Sequence, residues 1–485
     1  MRLTTTDASF LYSESVSGPM HISSVYILAG ELPHEKVLQH FAARIHLIPS
    51  YRRKVAQVPM NIAHPEWVDD PDFELSNHVC HHQLPSGATL DDGMAAAIVL
   101  NEQMLDRARP LWKFYVINGV PGYTLMLQMT HHAMIDGASG IELTTVLYDF
   151  DAKGANTPPP PTEPWAPKPV PSPMERFNKA MQENLAKLAN SDPFAAARVA
   201  VGQRATLQRA FGVMAKFVTQ PVITAPFNAG IVGPNRHLRW MHKSLSEIRE
   251  IRRGLGGTIN DVVLTVVSEA VARYLAASGQ RVDGQLMRIM CPVNVRTEGQ
   301  QGALGNQVSA IFPTLPAWPM SPATRHGVVC GEIERIKDEQ EAQALTLLQN
   351  SVPEPWPVGM AAAQLVGTAF DPTALSARFP MPVMPAVGGW RPPQFGLNFV
   401  CTNVPGVQVA QYLCGHKVLH TIGVLVLSGN MGLGVTILSY NQGLYFSFIA
   451  EPRMLQNIDQ LADAAEASFN ELLASARARV EQARA

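Results

Sequence analysis

Apolar residues recur along the chain at two spacings, which predict alternating strands and helices. Continuous apolar runs typical of buried strands lie at 21–28, 111–117, 124–130, 286–293, 395–401 and 432–439. Apolar positions three or four residues apart, typical of amphipathic helices, lie at 35–46, 91–108 and 174–218, and again after residue 258. The alternation predicts a mixed α/β fold.

A proline-rich segment divides the chain. Residues 157–173 contain nine prolines, a density that excludes helix and favours an extended, semi-rigid connector. The helical pattern that follows is interrupted near Ser191-Asp192-Pro193 and ends near residue 218. We therefore expect an N-terminal lobe at 1–156, a linker at 157–173, a helical connector at 174–226 and a C-terminal lobe at 227–485.

Composition and charge narrow the class of protein. The 485 residues are 46% hydrophobic and 16% charged, with a formal net charge of −2, so no electrostatic footprint for nucleic acid is present. The five cysteines are scattered and form no Cys-x-x-Cys pair, so we expect reduced thiols in a cytoplasmic protein. The first residues contain no continuous apolar segment, and no apolar stretch approaches about 18 residues, so we expect neither secretion nor a membrane span.

Two adjacent histidines directly after an apolar strand are the most informative feature of the chain. Residues 131–137 read His-His-Ala-Met-Ile-Asp-Gly. Neighbouring side chains on an extended segment point to opposite sides, so one of the two histidines can face a cleft while the other packs. Because the ordinary pKa of an imidazole lies close to neutrality, a neutral histidine can accept a proton from a hydroxyl group.

Three interpretations of this motif are open. Both histidines could be core residues, with Asp136 capping the next helix. His132 and Asp136 could share a helical face and bind a metal, but no third ligand or His-Glu-x-x-His pattern accompanies them, so no metal is expected. In the third interpretation His132 is a general base and Asp136 holds the local geometry. Ser139 does not lie in a Gly-x-Ser-x-Gly elbow, so direct transfer by a histidine base is favoured.

Shorter motifs follow in the second half of the chain. Thr258 and Asp261 have the spacing of a capping box, which explains them as a helix start, with a site role for Asn260 as the alternative. The sequence Asn-Val-Pro-Gly at 403–406 fits a turn that closes a strand. Arg296 follows another strand and is either a solvated strand end or the partner of a buried carboxylate. Each of these motifs is weak by itself.

Taken together, the motifs resemble those of the bacterial wax ester synthase/acyl-CoA:diacylglycerol acyltransferase family. The resemblance covers nearly the whole chain, and its motifs in order are Asp7 to Leu11, Pro110-Leu111-Trp112, His131 to Gly137, Asn260-Asp261, Gly-Asn-Gln-Val-Ser at 305–309 and Asn403 to Gly406. The histidine motif alone is shared with chloramphenicol acetyltransferases and peptide-synthetase condensation domains. The full set in this order is much more specific. The proline- and methionine-rich stretch 352–393 does not match the family pattern.

The resemblance implies a fold and an activity. The fold is a pair of chloramphenicol-acetyltransferase-like α/β lobes, with a tunnel between them and the histidine at its middle. The activity is transfer of a fatty acyl group from acyl-CoA, a co-substrate rather than a bound cofactor, to a long-chain alcohol or to diacylglycerol. An amide-forming condensation enzyme of the same fold and an inactive lipid-binding relative are the alternatives.

The resemblance also implies catalytic roles. His132 would be the general base, and His131 would orient it. Asp136 would make a structural ion pair with Arg296 or with Arg53.

Further site residues are implied for binding. The oxyanion would be stabilised by the backbone N–H of Gly137 or by Asn260. Substrate contacts are expected from Pro110, Leu111, Trp112, Asp261 and Asn403.

The helical connector suggests a lipid surface as a partner. Residues 174–218 carry seven lysines and arginines against three acidic residues. A basic amphipathic helix is typical of a membrane-surface segment, whereas docking of its apolar side on the lobes is the plainer interpretation. We expect a cytoplasmic protein whose partners are lipid substrates, peripheral to the inner leaflet of the plasma membrane or to lipid inclusions.

Overall fold

The computed structural model describes most of the chain. The described residues are 1–134, 143–154, 158–159, 163–189, 202, 204–294, 308–344, 346 and 383–483. The strands are β1 (His21–Ala29), β2 (Arg53–Ala56), β3 (Glu66–Asp69), β4 (Val79–Gln83), β5 (Trp112–Asn118), β6 (Tyr123–His131), β7 (His237–Ser244), β8 (Leu286–Asn294), β9 (Val308–Ile311), β10 (Thr314–Pro316), β11 (Phe399–Val404), β12 (Tyr412–Leu413), β13 (His416–Val424), β14 (Leu433–Tyr440) and β15 (Gly443–Ala450). The longer helices are α1 (Thr5–Ser13), α2 (His34–Ala42), α3 (Leu90–Asn101), α4 (Pro173–Ala189), α5 (Arg204–Thr219), α6 (Leu245–Leu255), α7 (Ile259–Ala277), α8 (Pro322–Asp338) and α9 (Ile458–Gln482).

The first sheet holds the histidine motif at the end of a central strand. Its strand order is β12-β13-β1-β6-β5-β4, with β6 antiparallel to both of its neighbours. Helix α3 packs against Leu125 on one face. Phe41 of α2 packs edge-on against Phe114 on the opposite face, with ring centroids 4.8 Å apart. Because both faces are covered, β6 is buried along nearly its whole length, which explains its continuous apolar sequence.

The second sheet forms the core of the C-terminal lobe. Its strand order is β10-β8-β11-β14-β15-β7, and β9 pairs with β8. Helix α9 packs on α6 and α7. Every residue of β14 and β15 is buried, so both faces of this sheet are covered as well. The two sheets with their helices give the mixed α/β, two-lobe architecture that the sequence predicts.

Two strands from the C-terminal half, β12 and β13, belong to the first sheet. Strand β13 pairs with β1, so residues 412–424 of the range assigned to the C-terminal lobe complete the N-terminal sheet. Strand β13 also touches the second sheet. Gly423 lies so close to Thr436 of β14 that a Cβ at Gly423 would be 2.5 Å from its Cγ2 atom. The lobes are therefore joined through β13; the other predicted domain boundaries stay predictions.

Some predicted elements end earlier or begin later than expected. The helix predicted at 91–108 ends at Asn101, because Asp106 closes a turn by accepting a hydrogen bond from the Ala108 N–H (2.9 Å). The helix predicted at 35–46 ends at Ala42 and gives way to short 3-10 turns before Arg53. The strand predicted at 395–401 runs over Phe399–Val404 instead. In each case the apolar pattern located the element but not its boundary.

In its described residues the connector contains two helices, each of which docks on the lobes through one side. Helix α4 buries Ala180 against Val58 and Ala63. Helix α5 buries Ala210 and Val213. The predicted interruption at 191–193 lies outside the described residues. Over the described residues, no single helix is long and apolar enough to cross a membrane; α6 and α7 pass that test only as a pair bent by 94°.

Candidate active site

The end of β6 sends the two histidines of the motif in different directions. The His131 N–H donates to the Leu111 carbonyl (2.9 Å) and the His132 N–H donates to the Met20 carbonyl (2.7 Å), so both backbones are fixed by neighbouring segments. His131 has no exposed surface, whereas His132 is only partly buried. His132 is therefore the member of the pair that a substrate can reach.

An aromatic ring from the N-terminal helix fixes the face of His132. Phe10 of α1 lies parallel to the His132 imidazole, with ring centroids 4.0 Å apart and an interplanar angle of 4°. Such stacking restricts rotation of the imidazole about its side-chain bonds. It also places a π face against the ring that would carry a positive charge as a protonated base.

A buried carboxylate, that of Glu14, lies beside the His131 ring. Nδ1 of that ring accepts a hydrogen bond from the Ala133 N–H (3.0 Å), and its Nε2 lies 3.4 Å from Oε1 of Glu14. Glu14 has no exposed surface in its side chain. Arg107 reaches the other oxygen, Oε2, through Nε (3.1 Å) and Nη2 (2.8 Å). The Met20 N–H donates to Oε1 (3.1 Å).

These contacts keep Glu14 ionised. Burial pushes the pKa of its carboxyl upward, but the hydrogen bonds from its donors outweigh burial and hold the pKa at about 2. His21, which lies opposite His131 in the β1–β6 register, is also buried, and burial lowers its pKa to about 4 despite a 2.8 Å hydrogen bond to the Asn101 carbonyl. The layer beneath His132 thus combines one charged carboxylate with a neutral imidazole at His21.

The Pro110-Leu111-Trp112 segment lies against the histidine pair. Leu111 is fully enclosed, so its side chain has no surface for substrate, and it acts through the carbonyl that holds His131. Trp112 donates from Nε1 to the Tyr51 carbonyl (2.7 Å) and stacks on the Tyr51 ring at 4.4 Å. Pro110 and Trp112 also line a cavity of about 270 Å³. Substrate contact by these two residues stays a prediction, whereas contact by the Leu111 side chain is not supported.

The structure brings the two asparagine motifs together. Nδ2 of Asn403, in β11, donates to Oδ1 of Asn260 in the first turn of α7 (2.5 Å). Asp261 caps the same helix, accepting at Oδ2 from the Thr258 N–H (2.7 Å) and hydroxyl (2.9 Å). The capping interpretation of Thr258 and Asp261 is confirmed. Asp261 is buried in that role, which leaves Asn260 as the exposed member of the pair.

Part of the predicted site lies outside the described residues. The predicted site residues that are not described are Asp136, Gly137, Arg296 and residues 305–307 of the Gly-Asn-Gln-Val-Ser motif. Of the two candidate arginine partners of Asp136, Arg53 is described and lies 3.4 Å from Asp69. Within the described ranges, no group of three or more His, Cys, Asp or Glu side chains is arranged to hold a metal ion.

Sequence reasoning missed the residues that surround the histidine pair. It singled out residues 7–11 without giving Phe10 a role, and it assigned nothing to Glu14 or Arg107. One local signal was present. Glu14 is the C-cap of α1, where the helix dipole disfavours a negative charge, so an acidic residue there points to a partner from elsewhere in the chain.

Comparison with known proteins gives the chain a family context. Residues 3–263 match the model of the wax ester synthase/diacylglycerol acyltransferase catalytic domain, and residues 304–473 match the WS/DGAT C-terminal domain. The second match spans the stretch 352–393 that the sequence motifs left unassigned. A probable diacylglycerol O-acyltransferase of Mycobacterium tuberculosis, tgs1, is 26% identical over 98% of this chain and 96% of its own length.

Solved structures agree on the fold. The wax ester synthase/diacylglycerol acyltransferase from Marinobacter aquaeolei VT8 superposes with a TM-score of 0.64 at 19% identity, covering 98% of this chain and 100% of that one. A starter condensation domain of the rhizomide synthetase RzmA, in complex with C8-CoA and Leu-SNAC, gives a TM-score of 0.55 at 13% identity over 98% of this chain and 92% of its own. At these identities the two structures establish the shared architecture alone.

Proposed function

The chain belongs to the wax ester synthase/diacylglycerol acyltransferase family and is an acyl-CoA-dependent O-acyltransferase; from this premise we propose that His132 is the general base in transfer of a fatty acyl group to a long-chain alcohol or a diacylglycerol. The observation that carries the proposal is the contrast between two adjacent histidines. His131 is fully buried, whereas His132 keeps an accessible ring against Phe10. An imidazole that substrate can reach is the first requirement for proton transfer.

The proposed chemistry is direct attack without a covalent enzyme intermediate. An alcohol is too weak an acid to ionise at neutral pH, so its proton must leave as its oxygen bonds to the thioester carbon. His132 accepts that proton. When the tetrahedral intermediate collapses and the carbon–sulfur bond breaks, the imidazolium returns the proton to the sulfur of CoA. General-base assistance of this kind is worth about 10²–10⁴-fold in rate.

The tetrahedral oxyanion needs a hydrogen-bond donor. We assign this contact to Asn260 or to the backbone N–H of Gly137. The contact between Asn403 and Asn260 supports the first choice. Because Oδ1 of Asn260 already accepts a hydrogen bond, its Nδ2 group is the part of the amide left to donate. Donors fixed before the reaction stabilise the developing charge without reorganisation.

Product analysis with competing acceptors tests the proposed function. The purified full-length protein is incubated with radiolabelled palmitoyl-CoA, hexadecanol and diolein together, and the products are separated by thin-layer chromatography. We expect wax ester, triacylglycerol or both, and the ratio defines the preferred acceptor. A palmitoyl-carrier-protein donor with an amine acceptor serves as the comparison arm. Amide formation in that arm without ester in the first would instead establish a condensation enzyme, and hydrolysis alone would contradict acyl transfer.

We propose further that the connector helices hold the enzyme at a lipid surface. Each helix exposes an apolar stripe on the side turned away from the lobes. The stripe residues and their exposed fractions are Met174 (65%), Met181 (40%) and Leu185 (60%) on α4, and Phe211 (63%), Met214 (47%) and Val218 (72%) on α5. Successive positions of the stripe are three, four or seven residues apart, which places them on one face of each helix. Such a stripe suits insertion at the boundary between headgroups and acyl chains.

The charges of the connector suggest that insertion is mainly apolar. Lys179 forms an ion pair with Glu66 (3.0 Å), and Lys216 pairs with the buried Glu341. A cation that already has a carboxylate partner adds little attraction to anionic lipids. We therefore propose that the apolar stripe makes the main contact, at the cytoplasmic surface of the membrane or on lipid inclusions; the basic face stays a prediction.

Vesicle flotation tests this placement. The protein is floated with phosphatidylcholine vesicles, with and without phosphatidylglycerol, at low and high salt. We expect binding to both, with little loss at high salt, and weaker binding for Leu185→Ser and Phe211→Ser. Val99→Ser, which alters a residue 60% exposed on α3, is the matched control and should bind as the unaltered protein does. Protein that stays wholly in the soluble fraction, or an equal loss for Val99→Ser, would contradict the proposal.

A further inference from the structure

The buried carboxylate beneath the histidine pair is surrounded only by hydrogen-bond donors. Glu14 meets the Nε2 side of His131, the N–H of Met20, and two N–H groups of Arg107. Arg107 also donates to the Leu11 carbonyl (2.6 Å), which fixes its guanidinium at the end of α1. A carboxylate is the side chain of this length that accepts at both of its oxygens. The environment is therefore built for a charged glutamate rather than for an amide or a neutral acid.

The same environment selects one tautomer of His131. The Ala133 N–H donates to Nδ1 of His131, so that nitrogen carries no proton. The ring proton must then be on Nε2, which lies 3.4 Å from Oε1 of Glu14, within ion-pair range but outside hydrogen-bond geometry. Protonation of Nδ1 would set two donors against each other beside Ala133. His131 is thereby held in a single orientation.

Glu14 also reaches His132 through the backbone of one residue, Met20. Oε1 of Glu14 accepts from the Met20 N–H (3.1 Å), and the carbonyl of the same residue accepts from the His132 N–H (2.7 Å). One carboxylate thus supports both members of the pair, one through its ring and the other through its backbone. Phe10, one turn earlier on α1, stacks on the His132 ring.

We propose that Glu14, bound by Arg107, is a positioning residue for catalysis: together with the Ala133 N–H it selects the Nε2–H tautomer of His131 and, through Met20, it sets the backbone from which His132 reaches substrate. The proposal rests on the proposed role of His132. It goes beyond that role because the carboxylate touches neither substrate nor the reacting atoms. It predicts that the charge of Glu14, and not only its bulk, controls turnover.

The first test compares two isosteric substitutions. In Glu14→Gln the amide NH₂ must face a donor whichever way it turns, so we expect kcat to fall about 10- to 100-fold, the range found when the outer hydrogen-bond partner of a metal-ligating histidine is removed. KM for acyl-CoA and for acceptor should change little. Glu269→Gln is the matched control. Glu269 is also fully buried, and its partners are Arg325, Arg273 and the Met320 N–H, which are all hydrogen-bond donors. It lies in the other lobe, away from the histidine pair.

A purely structural role would make the two substitutions alike. We expect Glu269→Gln to lower the thermal midpoint while the folded enzyme keeps its kcat. Wild-type kcat in folded Glu14→Gln, or an equal fall of kcat in Glu269→Gln, would overturn the proposal.

The second test uses pH and needs no substitution at Glu14. The groups facing the carboxylate are His131, Arg107 and the Met20 N–H, with His21 nearby and neutral above about pH 4. In Arg107→Met the cation is gone, so burial should raise the pKa of Glu14. We expect kcat to fall on the acid side and to recover as pH rises. Arg107→Lys retains the cation and should keep the wild-type pH profile. Identical profiles for the two Arg107 variants would overturn the proposal even if Glu14→Gln does not fold.

A spectroscopic readout separates this inference from the proposed function. The ¹⁵N chemical shifts of His131 report its tautomer in the resting enzyme, whether or not ester is formed. We expect the Nε2–H form in the wild type and a smaller share of it in Glu14→Gln, where the Ala133 N–H still favours it but the carboxylate is gone. If the wild-type protein shows this tautomer but makes no ester, the proposed general-base role of His132 is contradicted and the positioning role of Glu14 is not. A protonated Nδ1 in the active wild type would sink the positioning role of Glu14 alone.

Discussion

Replacement of Phe10 by leucine removes the aromatic face from His132 while keeping an apolar side chain of similar bulk. The two rings lie 4.0 Å apart and within 4° of parallel, so the contact is a full stack rather than an edge. Aromatic pairs are worth about 0.5–1.5 kcal/mol beyond the area they bury. If that stabilisation is realised when His132 is oriented and protonated, its loss lowers kcat about 2- to 13-fold.

The assay is steady-state transfer from palmitoyl-CoA to the preferred acceptor, with product measured by chromatography. Phe10→Leu should lower kcat with little change in KM, because the ring contacts the base. Phe10→Tyr retains the aromatic face and should stay within about twofold of wild type, below the smallest loss expected for the leucine variant. Phe41→Leu is the control: its ring packs edge-on against Phe114 in the core, so we expect a lower thermal midpoint with unchanged kcat.

Two results would refute this reasoning. One is wild-type kcat in a folded Phe10→Leu enzyme, which would show that the stack does not orient the base. The other is a rise in KM with unchanged kcat, which would place Phe10 against the substrate instead.

Two further predictions concern stability. Gly423→Ala places a Cβ 2.5 Å from Cγ2 of Thr436 where the sheets meet, so we expect a loss of about 1–3 kcal/mol in chemical unfolding, relieved when Thr436→Ser is added; an unchanged midpoint would contradict the close approach. His21 has a pKa lowered by burial to about 4, so the unfolded chain binds the extra proton and stability falls as pH drops below about 6.5. Between pH 8 and pH 5 this group should account for about 2 kcal/mol, and unfolding of His21→Gln should show that much less dependence on pH; equal slopes for the two proteins would refute the assignment.

More of the fold than of the candidate site could be predicted from the sequence. Apolar runs located β1, β6, β8 and β14, because buried strands must be apolar on their covered faces. No local sequence pattern indicates that β13, which lies in the C-terminal half of the chain, pairs with β1 of the N-terminal half. Its sequence would fit a covered strand in either sheet, and the choice depends on long-range packing.

The site shows the same division. The histidine motif stands out locally because two imidazoles follow a buried strand and precede an aspartate and a glycine. Glu14 and Arg107 are 93 residues apart, and Glu14 contacts a histidine motif that it does not adjoin in sequence. An ion pair between residues so far apart in the chain produces no periodic pattern in the sequence. What the sequence did contain was a local misfit, an acidic side chain at the C-terminal end of α1. Such misfits often mark a functional partner elsewhere.

The central claim is that the His132 imidazole takes the proton from the acceptor hydroxyl. The most direct measurement is kcat of His132→Ala in the ester-forming assay, with folding checked by thermal unfolding. We predict a fall of about 10²–10⁴-fold with an unchanged unfolding midpoint. Ester formation at the wild-type rate by the folded variant would contradict the claim.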